Sequence, residues 1–173
     1  VNPVPRWGLM FGKFLAAVVF TAIALIVQLA AFKIMLAMAG DAGANFARIL
    51  DVGTMVAVFL VALPLMLLAV AVQITIAIVS RSFKEAQTYL GLLPLVPAMP
   101  GMALVFFALE TEAWMMAVPT FGQTLLFGQL VRGEGVDMAN VGLCVLTTTL
   151  AALALLAIAG QLYEREELIF GGR

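Results

Sequence analysis

Two uninterrupted apolar runs, Phe11–Met38 and Thr54–Ser80, constrain this chain more than any other feature in it. A helix needs about 20 apolar residues to cross the hydrocarbon core of a bilayer, and both runs exceed that. In lipid the backbone must satisfy its own hydrogen bonds, which a helix does within one segment. The composition of the 173 residues agrees: 64% are hydrophobic and 11% charged, with a mean hydropathy of +1.14. Soluble domains are roughly half apolar and a quarter charged. The expected class is an all-α integral membrane protein with one transmembrane domain over residues 1–173.

The same composition excludes several activities. A net charge of -1 does not suit a nucleic-acid partner, which needs clustered Lys and Arg. Histidine is absent and Cys144 is the lone cysteine, which removes His-based zinc sites, a disulfide and a cysteine cluster. The opening VNPVPRWG has neither a signal-peptide pattern nor an initiating Met, so it reads as the continuation of a longer protein.

Taken in order, Arg6, Trp7 and Lys13 are surface anchors for the first span, about 11–38. Lys33 falls near its far end, where its ammonium can snorkel to water. Gln28 lies deeper and needs a partner on another helix. The connector Gly40–Gly53 is polar, and its Arg48 and Asp51 are spaced to pair on one helical turn. The second span, about 54–80, carries Pro64 and, about two turns from its end, Gln73.

Arg81–Gly101, RSFKEAQTYLGLLPLVPAMPG, divides the second run from the C-terminal half of the chain. Ser82 with Glu85 three positions on is a capping-box spacing, so a helix is expected to start here. The third span, about 86–109, contains Pro94, Pro97 and Pro100. Each proline removes a donor and crowds the preceding turn, so a bent or broken helix is expected, lying inside a bundle where its freed carbonyls are covered. Residues 113–131, AWMMAVPTFGQTLLFGQLV, are apolar but interrupted by Pro119, Gly122 and Gly128. They suit a re-entrant pair of half-helices on the outer side, with Gln123 and Gln129 on the polar face. The fourth span, about 138–162, holds Cys144 and the run Thr147, Thr148 and Thr149, whose hydroxyls are expected to bond carbonyls one turn back. A charged tail, YEREELIFGGR, leaves the membrane.

Charge counting sets the orientation. With both ends and the Arg81–Gln87 loop cytoplasmic, the inner side holds Arg6, Lys13, Arg81, Lys84, Arg165 and Arg173, and the outer side Lys33, Arg48 and Arg132. Six against three follows the positive-inside rule and favours four spans with cytoplasmic N and C termini.

Four landmarks in this order carry a resemblance. The opening fits P-x-x-R-W-x-x-x-x-G-K, and after it come RSFKEAQTYL with its proline-rich span, PTFGQTLLFGQLVRGE, and a last span ending REELIFG. The chain resembles type-2 ABC exporter permeases, specifically the C-terminal half of the sodium-export permease branch called NatB. The resemblance implies the last four of six spans, with the upstream spans missing. It also implies an inner (plasma) membrane location, a homo- or heterodimer with a second permease, and a separate ABC ATPase subunit that holds the ATP and magnesium. No G-x-x-x-x-G-K-[ST] phosphate loop occurs in this chain, so no cofactor is expected in it.

On that reading Arg6, Arg81, Lys84 and Glu85 face the cytoplasm as candidates for ATPase coupling. Gln28, Gln73, Pro94, Pro97, Pro100, Gln123, Thr147, Thr148 and Thr149 are the pathway candidates. Sodium is one substrate; a hydrophobic or amphipathic compound is the other, because no Asp or Glu falls at mid-membrane depth. The alternatives are a structural or scaffold membrane protein, and an intramembrane protease. The protease lacks a histidine, and the only serines, Ser80 and Ser82, lie at the membrane edge.

Overall fold

A computed structural model describes residues 6–40, 50–107 and 112–170. They form helices joined by short turns, with no strand among them. The helices are α1 (Arg6–Met38), α2 (Val52–Val79), α3 (Phe83–Leu92), α4 (Leu95–Phe107), α5 (Ala113–Ala117), α6 (Phe121–Arg132) and α7 (Met138–Phe170). Three of them, α1, α2 and α7, are long and apolar enough to cross a membrane.

These three make the frame. At one end Met10 and Phe14 of α1 meet Val70 and Ala71 of α2 and Leu156 and Ala159 of α7. Alanines at the crossing let the backbones approach closely, which is how helices associate where lipid supplies no hydrophobic driving force. A second core joins Val61 of α2 and Cys144 of α7 to Met115, Met116, Leu125 and Leu126 of α5 and α6. The two cores fix direction: Val61 goes with Cys144, and Val70 with Leu156, so α2 and α7 run parallel while α1 runs against both. Elsewhere α1 is largely exposed; Phe20 and Val27 are 74% and 62% exposed, as a lipid-facing helix requires.

Local signals explain the element ends. Asp51 caps α2 by accepting the Thr54 N–H at 2.7 Å, and that bond holds its carboxyl below the usual range. Ser82 caps α3, accepting the Glu85 N–H at 3.2 Å, so the helix starts where the spacing predicts. Glu85 reaches back to the Arg81 N–H (2.9 Å), and the Tyr89 hydroxyl donates to its other oxygen (3.2 Å). Pro64 stays inside α2 and is buried. The Arg48–Asp51 pairing, Glu110, and the end of the tail at Arg173 lie outside the described residues.

The proline-rich segment departs from expectation in one respect. It is broken, as three prolines require, into α3 and α4 at Leu93–Pro94. It does not lie inside a bundle: α4 packs one side against α6, with Pro100 buried, while Leu95, Val96, Met99, Met102 and Phe106 are exposed. Within one chain, three long helices and a hairpin leave too little surface to surround it.

Candidate functional site

The inner and outer halves of the frame differ in closure. Antiparallel to α2, α1 is sealed against it around Met10 and Phe14 and stands off beyond Thr21. The result is a groove of about 530 Å³ between α1, α2, the α3–α4 break and α6. Gln28, Gln73, Pro94 and Pro97 all line it, together with Thr21, Thr120 and Phe127. Four of the nine pathway residues chosen from sequence thus share one surface. Gln28 and Gln73 are exposed and make no hydrogen bond within the described residues. In hydrocarbon an amide left that way is costly. Thr21 is spent on its own helix, donating to the Ala17 carbonyl at 2.8 Å.

Gln123 and Thr148 form a different unit. Both are fully buried. The Gln123 Nε2 donates to Thr148 Oγ1 at 2.7 Å, and its Oε1 accepts the Thr120 N–H at 2.8 Å. One amide therefore ties the α5–α6 turn to α7, with its polar atoms paired in a dry interior where such pairing counts most. The turn itself is strained: Thr120 has φ 73°, a conformation costing a β-branched residue about 1–3 kcal/mol. It persists because the Thr120 carbonyl also accepts from the Thr124 N–H (3.0 Å) and hydroxyl (2.8 Å). Next to it, a Cβ on Gly122 would stand 2.7 Å from the Met116 carbonyl oxygen and 2.8 Å from the Cys144 sulfur. Only glycine lets α5, α6 and α7 meet there.

The remaining candidates scatter. Pro100 is buried on α4 beside Gly101, which faces the Thr124 methyl. Thr147 donates to the Leu143 carbonyl at 2.9 Å, as threonine in a helix is expected to, and Thr149 is half-buried on α7. None of these three lines the groove. Of the coupling candidates, Arg81 and Lys84 are exposed at the α2–α3 bend, whereas Glu85 is half-buried with its carboxylate engaged in the helix start. Arg6 opens α1. Lys13, Ser80 and Tyr163 line a common recess of about 340 Å³, so the start of α1, the end of α2 and the approach to the tail share one end. Sequence reasoning missed Thr120, whose only advertisement is the preceding Pro119, and the packing of Gly122 on Cys144.

Beyond the hairpin, Arg132 and Glu134 pair at 2.6 and 3.0 Å on the exposed connection to α7. The described residues contain no cluster of three or more Cys, Asp or Glu placed to hold a metal ion. No family model, curated protein or solved structure matches this chain.

Proposed function

We propose that this chain is the membrane permease subunit of an ATP-driven exporter of the ABC type-2 kind, working with a separate ATPase and a second permease in the plasma membrane. The observation that carries the reading is the groove: closed at the Lys13–Ser80 end by the Met10–Phe14 core, open toward the other end, and holding Gln28, Gln73 and a proline break along it. Alternating access needs a cavity of that form plus an element able to hinge.

The parallel run of α2 and α7 supports the layout of four spans and a hairpin. The chain leaves α2 at one end and must start α7 at the other, so the intervening α3–α4 has to carry it across. The α5–α6 hairpin then remains on the outer side, and both chain ends fall on the cytoplasmic side with Arg81 and Lys84. In this scheme the ATPase bears on the exposed α2–α3 bend, nucleotide-driven movement there tilts α2 and α3, and the Pro94 break converts the tilt into opening and closing of the groove.

The test is purification of the full-length protein from native membranes in mild detergent. The expected result is a co-purifying ATPase in fixed ratio, with hydrolysis abolished or uncoupled by Arg81→Glu and Lys84→Glu. Glu85 is left unaltered because its carboxylate also builds the start of α3. A protein that purifies without an ATPase would favour a structural or scaffold role instead.

A further inference from the structure

The dimensions and polarity of the groove specify a class of ligand. Its α2 wall runs from Val58 to Gln73, about 22 Å at the helical rise of 1.5 Å per residue. Spread over that length, a volume of about 530 Å³ leaves a mean cross-section of about 24 Å². One extended hydrocarbon chain fills such a width; the paired chains of a phospholipid or a fused ring system do not. The antiparallel register puts Gln28 and Gln73 toward opposite ends, and the wall between them is apolar apart from Thr21 and Thr120, with no charged residue lining it. A primary amide offers both a donor and an acceptor, which matches a hydroxyl or amide head. A bare cation would find no carboxylate there.

We infer that the groove binds one single-chain amphiphile with an uncharged, hydrogen-bonding head, its chain lying along α2 and its head paired with Gln73 at one end or Gln28 at the other. The two amides are then the two stations of a head group that crosses the membrane. This assignment rests on the groove being the transport pathway, but its binding step needs no ATPase and is tested separately.

The probe is a monoacylglycerol carrying a diazirine in its chain, added to the full-length protein in nanodiscs and mapped by mass spectrometry after irradiation. Labelling is expected on Leu65 and Phe127, both of which line the groove. Ala24→Trp fills the groove from an exposed position and should reduce labelling about tenfold. Gln73→Leu should reduce it about 3- to 10-fold, the worth of one hydrogen bond. Phe20→Trp, exposed and outside the groove, should leave it unchanged. Unlabelled monoacylglycerol should compete and a two-chain phospholipid should not.

Labelling spread over the exposed face of α1 and indifferent to Ala24→Trp would overturn the assignment, as would equal competition by phospholipid, which would make the occupant ordinary bilayer lipid. Stronger labelling by a long-chain amine or carboxylate would overturn the uncharged head. Groove labelling in a protein that has no ATPase partner would remove the permease reading alone; a coupled ATPase with an unlabelled groove would remove this assignment alone.

Discussion

At the scale of single residues, the Gln123–Thr148 bond and the Thr120 turn make opposite predictions. Thr148→Val leaves the Gln123 amide buried beside a methyl group and should destabilise the protein by about 1–3 kcal/mol, read as a lower midpoint of thermal unfolding in detergent. Adding Gln123→Met removes the orphaned donor, so the double variant should recover part of that loss. Thr120→Gly should raise stability by about 1 kcal/mol, since glycine adopts φ 73° without strain. Gly122→Ala should be destabilising by about 1–3 kcal/mol. Trimming Cys144 as well restores little, because the nearer obstacle is the Met116 backbone oxygen. The glutamine and the threonine could each be picked out as polar groups at membrane depth; their pairing, 25 positions apart, could not, because a single sequence carries no contact information.

At the scale of elements, the break between α3 and α4 and the cap of α2 are the informative places. Pro94→Ala restores a backbone donor and removes the ring that crowds the preceding turn, so α3 and α4 should tend to fuse. Spin labels at the exposed Gln87 and Met102 would then report a longer and narrower distance distribution, with a groove less able to change width. If the distribution stays unchanged, packing on α6 and not the proline holds the bend. For the cap, the Asp51 carboxyl titrates below its usual range in the folded protein, chiefly because the Thr54 N–H bonds its charged form. The stability it contributes is therefore complete above the usual carboxylate range and is lost as pH falls through the lowered folded value. Amide exchange at Thr54 and Met55, corrected for intrinsic rates, should accelerate on acidification in the wild-type chain, and at every pH in Asp51→Ala. Both features were legible in the sequence, because a proline and a capping side chain act on the backbone within a few residues of themselves.

For the whole molecule, the asymmetry of closure decides what the frame can do. One end is sealed by interdigitated Met10, Phe14, Val70 and Leu156, and the other leaves α1 apart from α2 with Lys33 lining the gap beside Val52 and Phe59. In an exporter cycle the opposite state must form, with the Met10–Phe14 core opening. Cysteines at Lys13 and Ser80, which share the recess at that end, should therefore cross-link readily without nucleotide. Cross-linking should fall when the full assembly is held in its alternate state by a non-hydrolysable nucleotide. Constant cross-linking in both conditions would mean that the frame is rigid, as a scaffold would be.

By itself the sequence determined that this is a helical membrane protein, where its long helices start, that the proline-rich segment must break, and that residues 113–131 form two short helices and not one. Those properties follow from hydropathy, capping and backbone sterics, all of which act locally. Tertiary structure alone decided that α2 and α7 run parallel, that Gln28, Gln73 and Pro94 share a groove while Gln123 and Thr148 are withdrawn into a buried bond, and that the proline segment stands at the margin of the frame. Each of these depends on which apolar faces pair in space. When nearly every face of every helix is apolar, hydrophobic patterning cannot choose among them, and the choice passes to small residues, close backbone contacts and a single buried amide.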